Sequence, residues 1–201
     1  MKSALLILNG SEPKNLPCSS KFDIVCAVDG AYNQLKKMNV VPDIITGDFD
    51  SLDEKPHAIE LINTPNQEYT DFEKALQILF DREIMQVSIY GGSGNESDHF
   101  LGNLSVALAW KEKLTIQFFD EFGSFYFIPK RFEISKVASK IVSLIPFPSA
   151  TEITTSGLEF PLQGENLSFG NRIGTRNRAI SDNITIEFKE GNLLIYISNK
   201  A

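Results

Sequence analysis

The chain has 201 residues, of which 42% are hydrophobic and 10% aromatic, enough for one large domain or two small ones with buried cores. A formal net charge of −7 and the lack of any basic run argue against a protein that binds nucleic acid by neutralising its phosphates. No apolar stretch is long enough to span a membrane, and Cys18 and Cys26 alone do not make a disulfide framework or a thiolate zinc site. We therefore expect a cytoplasmic protein.

The first 120 residues alternate short apolar segments with helical patterns. Continuous apolar and β-branched runs predict buried strands at 5–8, 24–28, 44–46, 87–90 and 115–119. Helices are predicted around 32–38, 57–62, 71–80 and 99–110. This order predicts βαβ units in an α/β domain over residues 1–120, with a mainly parallel, Rossmann-like sheet. Ligands of such a sheet bind beyond the carboxyl ends of its strands.

After about residue 120 the helical period disappears and strand-like segments follow one another. They lie at 125–128, 140–145, 151–154, 167–169, 184–188 and 193–197. Residues 190–192 predict a hairpin between the last two segments, with Ile184, Ile186 and Phe188 on one face. We predict an all-β domain over residues 121–201, built as an antiparallel sandwich.

The segment Gly47-Asp48-Phe49-Asp50-Ser51 follows the third predicted strand, where a parallel strand leaves the sheet at its functional edge. In extended chain Asp48 and Asp50 point to the same side, and Phe49 points back into the protein as an anchor. Two carboxylates so placed can share Mg²⁺, which prefers oxygen ligands and keeps positions open for substrate phosphates. The alternative is a polar turn, because Gly, Asp and Ser are common loop residues.

Thr70-Asp71-Phe72-Glu73 predicts the start of a helix, with Thr70 as the N-cap and Glu73 completing a capping box. Asp71 then lies in the first turn. It either complements the helix dipole or serves as a third metal ligand. Lys74, one turn later, is either a solvated partner of Asp71 or a phosphate contact.

The glycine-rich segment Gly91-Gly92-Ser93-Gly94-Asn95 joins a predicted strand to a helix capped by Ser97 or Asp98. Backbone amides of such a loop, including those of Gly91 and Gly92, are suited to phosphate, although no Gly-Lys-Ser/Thr of a P-loop follows. The alternative is a flexible loop. Asp98 and His99 supply either a base or substrate contact, or only a capping carboxylate beside an exposed histidine.

Asp29-Gly30 ends the second predicted strand, and Asn33 follows in the first turn of the next helix. Four separate segments therefore bring acidic groups to one edge of one sheet. In order and spacing the chain resembles thiamine pyrophosphokinase, through Asp29-Gly30, Gly47-Asp48-Phe49-Asp50-Ser51, Thr70-Asp71-x-x-Lys74 and Gly91-Gly92…Asp98-His99. The resemblance continues through residues 156–162, residues 167–170, Gly174-Thr175 and Asn177.

The resemblance implies transfer of a pyrophosphoryl group from ATP to the hydroxyethyl oxygen of thiamine, giving thiamine diphosphate and AMP. It also implies an α/β domain, a β-sandwich and a homodimer whose active sites lie between domains of different subunits. In the site it implies, Mg²⁺ is held by Asp48, Asp50 and Asp71. The nucleotide and substrate cleft is lined by Asp29, Asn33, Lys74 and Asp98, and the residues near thiamine are Ser168, Thr175 and Asn177. Either Asp98 or Asp71 accepts the hydroxyl proton.

Three segments depart from the family pattern. Tyr32 adds an aromatic ring where the family has Asp-Gly-Gly-Ala-Asn, and Glu96 replaces the arginine of Gly-Arg-x-Asp-His. Arg176 and Arg178 stand in the family's Gly-Thr-Ser-Asn-Glu, where cationic thiamine is expected. One hypothesis is that these two arginines face phosphate and make up for the loss at Glu96.

Two other classes of protein stay open. An Asp-x-Asp nucleotide-sugar transferase or phosphatase also uses paired carboxylates and a metal, but an aspartyl-phosphate phosphatase places the pair near its first strand, whereas here it follows the third. A non-catalytic module that binds nucleotide or thiamine is the other alternative. Retention of all three predicted metal carboxylates argues against it.

Overall fold

The structure is a computed structural model that describes residues 1–49, 56 and 58–200. The chain divides into two compact units, Met1–Asp120 and the residues from Glu121 onward. In the part that the structure describes, every helix is too short or too polar to cross a membrane.

The first unit is built on six parallel strands. They are β1 (Ser3–Ile7), β2 (Ile24–Val28), β3 (Ile44–Gly47), β4 (Glu60–Asn63), β5 (Gln86–Tyr90) and β6 (Thr115–Phe119). Their order across the sheet is β4-β3-β2-β1-β5-β6, and every neighbouring pair is parallel. Because β1 lies between β2 and β5, the strand order reverses between β1 and β5. Open α/β sheets bind ligands beyond the carboxyl ends of strands at such a point.

Helices cover both faces of this sheet. They are α1 (Ala31–Lys37), α2 (Asp71–Asp81) and α3 (Ser97–Trp110), besides a short 3-10 helix at Ser19–Lys21. Ala31 of α1 packs in one core cluster with Leu5. Phe72 of α2 packs edge-to-face on Phe118, with ring centroids 5.9 Å apart. Leu6 pairs with Ile89, and Ile89 pairs with Phe118, so Phe118 lies on the same face of the sheet as Leu6. Neighbouring residues of a strand point to opposite faces, so Leu5 lies on the other face.

Five predicted strands and three of the four predicted helices of this unit are confirmed, with small shifts at their ends. The helix predicted over 57–62 is wrong, because Glu60–Asn63 forms β4, which pairs in parallel with β3 at the edge of the sheet. Residue 57 lies outside the described residues. A short apolar run cannot be assigned to helix or strand by periodicity alone, and here pairing with β3 decides.

The second unit is entirely β. Its strands are β7 (Gly123–Ile128), β8 (Arg131–Ile134), β9 (Ile141–Ser156), β10 (Gln163–Ser168), β11 (Gly174–Arg178), β12 (Ile184–Glu187) and β13 (Glu190–Ser198). All pairings are antiparallel, and β9 is the centre of the unit. Leu144 pairs with both β11 and β13, and Thr154 with both β10 and β12. One edge of β9 therefore carries β13 and β12, and the other carries β11 and β10.

The two segments predicted at 140–145 and 151–154 form a single 16-residue strand, β9. The predicted hairpin between the last two strands is wrong, because β12 pairs with β8 and β9, and β13 pairs with β7 and β9, so the two strands follow each other along one edge of β9. The shared face of Ile184, Ile186 and Phe188 is confirmed, since all three are buried in the core of this unit. Sequence patterns missed β8 and β11, whose short and mostly polar sequences show no run of apolar residues.

Candidate active site

The end of β3 packs directly on the end of β2. The amide of Asp29 donates to the carbonyl of Thr46 at 2.9 Å, and its Oδ1 accepts from the amide of Phe49 at 3.2 Å. A Cβ added to Gly47 would lie 1.7 Å from Asp29 Oδ1, and the φ of Gly47 is +146°. Glycine is therefore required at position 47, and the Asp29 carboxylate is held against the segment that leads to Asp48.

Asp48 follows β3 and is exposed, whereas Phe49 is half-buried and packs on the core cluster around α1. The anchoring role predicted for Phe49 is confirmed. The extended chain predicted through this segment is wrong at Phe49, whose φ of +68° is left-handed. A bulky residue adopts such a conformation at a cost of roughly 1–3 kcal/mol, a cost that occurs most often at functional sites. Asp50 and Ser51 lie outside the described residues.

The start of α2 confirms half of the predicted capping box. Thr70 Oγ1 accepts from the amide of Glu73 at 3.2 Å, which makes Thr70 the N-cap. The reciprocal half is wrong, because the Glu73 carboxylate accepts instead from Trp110 Nε1 at 3.2 Å. Asp71 lies in the first turn with its side chain 44% exposed, so its carboxylate can reach a ligand.

Lys74 joins α2 to the segment that follows β4. Its Nζ lies 2.6 Å from Asp71 Oδ1 and donates to the carbonyls of Thr64 at 2.8 Å and Asn66 at 3.0 Å. The side chain is only 11% exposed, so the interpretation of Lys74 as a solvated partner is wrong. The amide of Thr64 donates in turn to the carbonyl of Gly47 at 2.9 Å. A continuous chain of contacts thus runs from the start of α2 to the end of β3.

The glycine-rich loop after β5 is held through its carbonyl groups. Gly10 N donates to the carbonyl of Gly91 at 2.9 Å, and Asn103 Nδ2 donates to that of Gly92 at 3.0 Å. Within the described chain, the amides of residues 92–94 donate no hydrogen bond. Backbone amides left open at a strand-to-helix turn form an anion-binding concavity, so the loop is suited to a phosphate group.

The predicted cap of α3 is wrong. Glu96 is the N-cap, with extended backbone and no side-chain cap hydrogen bond, while Ser97 and Asp98 lie in the first turn. Asp98 is exposed, and its Oδ1 accepts from the amide of His99 at 3.0 Å. Glu96 Oε2 lies 3.5 Å from Nε2 of the exposed His99. The position at which the resemblance implies an arginine therefore carries an acidic group beside this histidine.

Sequence reasoning missed the loop after β1. Gln34 Nε2 donates to Asn9 Oδ1 at 3.4 Å and to the carbonyl of Gly10 at 3.2 Å. A Cβ on Gly30 would lie 2.8 Å from Asn9 Nδ2, and one on Gly91 would lie 2.2 Å from the carbonyl oxygen of Leu8. This loop therefore lies between the end of β2 and the glycine-rich loop. A signal was present, since Asn9-Gly10 ends the first strand as Asp29-Gly30 ends the second.

The described members of the predicted metal set are Asp48 and Asp71. Among the described residues, no three His, Cys, Asp or Glu side chains form a group that could hold a metal ion, and Asp50 is not among those residues. Carboxylate oxygens are hard ligands, and both described carboxylates are at least partly exposed. The donor set therefore fits a hard cation such as Mg²⁺ and does not fit a soft metal.

The second unit contains a pocket of about 240 Å³. Its buried apolar wall is formed by Leu144, Leu158, Leu162 and Leu167. Its remaining wall is formed by Phe160, Arg172, Ile173, Gly174, Thr175, Arg176 and Asn177. Two of the residues predicted near thiamine therefore line one pocket, and the third, Ser168, directly follows a lining leucine in β10.

Asn177 fixes the aromatic side of this pocket. Its Nδ2 donates to the carbonyl of Phe160 at 2.7 Å, and its Oδ1 accepts from the amides of Phe160 at 3.1 Å and Arg178 at 2.8 Å. The Phe160 side chain is 68% exposed. The side-chain amide of Asn177 therefore holds the backbone of Phe160, which is one of the lining residues.

The two arginines that depart from the family pattern have different surroundings. Arg176 lines the pocket with a φ of +58°, and its backbone amide donates to Ser143 Oγ at 2.9 Å. Its guanidinium has no ion pair with the residues that the structure describes. Arg178 Nε lies 3.9 Å from a Glu159 carboxylate oxygen. Arg176 is therefore the less neutralised of the two cations.

Comparisons with known proteins agree over both units. The family model "Thiamin pyrophosphokinase, catalytic domain" matches residues 17–118, and "Thiamin pyrophosphokinase, vitamin B1 binding domain" matches residues 128–193. Thiamine pyrophosphokinase of Bacillus subtilis (strain 168) is 26% identical over 97% of this chain and 98% of its own. Thiamine pyrophosphokinase 1 of Arabidopsis thaliana is 30% identical, over 98% of this chain and 86% of its own length. The crystal structure of the Bacillus subtilis thiamine pyrophosphokinase is similar with a TM-score of 0.86 and 25% identity, covering all of both chains. Because both units match one family in sequence and in structure, the chain belongs to the thiamin pyrophosphokinase family of enzymes.

Proposed function

We propose that this enzyme transfers a pyrophosphoryl group from ATP to the hydroxyethyl oxygen of thiamine. The thiamine oxygen bonds to the β-phosphorus, the bond from the β-phosphorus to the oxygen bridging the α-phosphate breaks, and AMP leaves with that oxygen. The observation that carries the proposal is the chain of contacts that joins Asp71, through Lys74 and Thr64, to the end of β3 beside Asp48. It links two candidate metal carboxylates at the carboxyl edge of a parallel sheet.

We propose that Asp48, Asp50 and Asp71 hold Mg²⁺, which when bound neutralises charge on the ATP phosphates. The protein's own contribution is positioning, because phosphoryl transfer needs little covalent help from side chains. Asp29 supports the segment before Asp48 through its hydrogen bond with Phe49. The open amides of the loop that includes Gly91 and Gly92 are placed to bind phosphate oxygens.

We assign acceptance of the thiamine hydroxyl proton to Asp98. Its carboxylate accepts from the amide of His99, whereas the carboxylate of Asp71 is ion-paired with Lys74 at 2.6 Å. A general base must be exposed to the substrate and free to take the proton, and Asp98 is exposed. Asp29 and Asn33 line the nucleotide cleft in this proposal.

We propose that the first unit is a Rossmann-like catalytic domain and the second a β-sandwich that binds thiamine through Ser168, Thr175 and Asn177. The support is the pocket, which offers buried leucines and the exposed Phe160 ring to a planar heterocycle. The exposed apolar side chains of this unit include Phe160 (68%), Phe169 (53%), Ile173 (43%) and Ile180 (67%). Such side chains are typical of an interface, so we propose a homodimer whose partner completes the site. Both cysteines are free, as expected for a cytoplasmic enzyme.

We also propose that Arg176 and Arg178 face phosphate and offset the acidic Glu96. A cation without an ion pair beside a pocket favours an anionic ligand, and Arg176 is such a cation among the described residues. Replacing the two arginines with Ser and Glu is expected to weaken ATP binding, measured by calorimetric titration. Unchanged ATP affinity would contradict this assignment.

The reaction is tested by incubating the purified protein with ATP, Mg²⁺ and thiamine and separating the nucleotides. AMP in equal amount to thiamine diphosphate is expected. ADP or inorganic phosphate would favour another phosphate enzyme, and no turnover would favour a non-catalytic module.

The site is tested by Asp48→Asn and Asp71→Asn, which are expected to abolish transfer while the circular dichroism spectrum and melting temperature are retained. Asp81→Asn is the matched control, because it makes the same change at the opposite end of α2, where Asp81 accepts from Gln77 at 2.7 Å. A near-normal rate in Asp48→Asn or Asp71→Asn would remove that residue from the metal set.

A further inference from the structure

The ammonium group of Lys74 has three partners inside the first unit. An ammonium has three N–H donors and no acceptor. Here Nζ donates to the Thr64 carbonyl at 2.8 Å and to the Asn66 carbonyl at 3.0 Å, and it forms an ion pair with Asp71 Oδ1 at 2.6 Å. With the side chain only 11% exposed, a phosphate contact would require Lys74 to give up one of these partners.

The three partners lie on two different segments. Asp71 belongs to the first turn of α2, whereas Thr64 and Asn66 belong to the loop between β4 and α2. The Thr64 amide is bonded to the Gly47 carbonyl, so the loop is itself fixed to the end of β3. Lys74 therefore fixes the Asp71 carboxylate relative to the end of β3, next to Asp48.

The ion pair also selects which carboxylate oxygen is available. Lys74 holds Oδ1 of Asp71, and this leaves Oδ2 for a cation. Ligating carboxylates are commonly held by a hydrogen-bonding partner of this kind, and loss of the partner typically costs about 10–100-fold in metal affinity or activity.

We propose that Lys74 is a positioning residue, which orients Asp71 toward the divalent cation and does not bind the ATP phosphates. The inference rests on the proposed function, because it takes Asp71 as a metal ligand. It differs from a direct phosphate contact in what it predicts. Loss of Lys74 should weaken metal binding even without nucleotide, and should leave the affinity for metal-free ATP unchanged.

The test uses Lys74→Met, which keeps the apolar stem and removes the donors, and Lys74→Arg, which keeps the charge. Mn²⁺ is titrated into each nucleotide-free protein and the free ion is followed by electron paramagnetic resonance. Lys74→Met is expected to weaken Mn²⁺ binding by about tenfold or more, and Lys74→Arg to recover part of that loss. Lys37→Met is the matched control, because it removes an exposed lysine paired with Glu12 at 3.3 Å and should leave Mn²⁺ binding unchanged.

ATP binding is then measured by equilibrium dialysis in EDTA. The affinity of Lys74→Met for ATP is expected to stay within about twofold of the wild-type value. In turnover assays of the same variant, the Mg²⁺ concentration that gives the half-maximal rate should rise, while the KM for ATP at saturating Mg²⁺ changes little. A tenfold loss of metal-free ATP binding, or unchanged Mn²⁺ affinity in Lys74→Met, would overturn the proposal. Circular dichroism reports whether Lys74→Met is folded.

If Lys74→Met does not fold, Lys74→Gln takes its place, since an amide keeps two N–H donors and loses the charge. Lys74→Gln should then bind Mn²⁺ more weakly than Lys74→Arg, and equal affinities would refute the role of the ion pair. The Mn²⁺ titration involves no turnover, so its result is separate from the proposed reaction. Wild-type protein that binds Mn²⁺ but makes no AMP would contradict the reaction, whereas wild-type protein that does not bind Mn²⁺ would contradict the positioning role.

Discussion

Replacing Gly47 with Ala tests how closely the end of β3 packs against the Asp29 carboxylate. The added Cβ would lie 1.7 Å from Oδ1 and 2.2 Å from Cγ of Asp29, where real Cβ atoms keep at least 3.0 Å. Either the Asp29 carboxylate or the end of β3 must therefore move by more than an ångström. Movement of the carboxylate breaks its 3.2 Å hydrogen bond with the amide of Phe49, and movement of β3 displaces Asp48.

Two costs set the size of the effect. An L side chain at the φ of +146° costs roughly 1–3 kcal/mol in backbone strain. Loss of a hydrogen bond to a charged carboxylate costs a further amount of roughly 1.5 kcal/mol or less here, because Asp29 is only half-buried. We expect Gly47→Ala to lower the free energy of unfolding by about 1–4.5 kcal/mol. Transfer activity should fall as well, because the clash displaces the end of β3 or the carboxylate that supports it, next to the predicted metal ligand Asp48.

Gly164→Ala is the matched control. Gly164 has a φ of +92° but no atom within 4 Å of an added Cβ, so this change carries strain without a clash. Urea unfolding followed by circular dichroism should show the larger loss in Gly47→Ala, and Asp29→Ala should remove most of the excess when the two changes are combined. Equal losses at the two glycines, or an unchanged cost of Gly47→Ala in the Asp29→Ala background, would refute the close approach.

Three further predictions concern cysteine reactivity, helix stability and pH. A serine hydroxyl hydrogen-bonded to the exposed Cys18 lowers the pKa of that thiol, whereas burial raises the pKa of Cys26 to about 12. A thiol reagent should therefore label one cysteine in the folded protein and two in urea. Gly102→Ala should raise the free energy of unfolding by about 0.5–1 kcal/mol in chemical denaturation, because a Cβ within α3 meets no atom within 4 Å. Hydrogen bonds from Arg82 at 2.6 and 3.0 Å lower the pKa of Glu60, so the pair stabilises the fold at neutral pH. Glu60→Gln should cost under about 1 kcal/mol there, and this difference should vanish as the pH falls through the lowered pKa.

Burial explains which parts of the fold could be predicted. The central strands of the first unit are buried on both faces, and their continuous apolar runs admit one interpretation. Strand β4 lies at the edge of the sheet, and Leu61 and Ile62 are only partly buried, so the segment has no such signal. In the second unit, residues 190–192 suggested a hairpin, because local turn chemistry does not reveal that β12 and β13 follow each other along one edge of β9. Pairing over long sequence separations is set by the packed core.

Only some features of the candidate site could likewise be predicted from the sequence. Placement of acidic residues at strand ends could be predicted, since parallel strands leave a sheet at one edge. The contacts that give each side chain its role could not, because they depend on register and on side-chain packing. Lys74 illustrates this limit: its spacing from Asp71 suggested an ion pair in solvent, but the carbonyls of Thr64 and Asn66 enclose it. Glu73 likewise bonds Trp110, a partner from another helix.

The departures from the family pattern and the residues that hold the site together occupy different environments. Glu96 and Arg176 are exposed, and neither takes part in the contacts that fix the ends of β2, β3 and α2. Gly47 and Lys74, which do fix those ends, are buried or nearly so. Exposed charges act on a charged substrate through a screened field, whereas a shift of the predicted metal carboxylates would alter the geometry on which transfer depends. We therefore expect the departures to change the electrostatic potential that ATP and thiamine meet more than the positions of the predicted metal carboxylates.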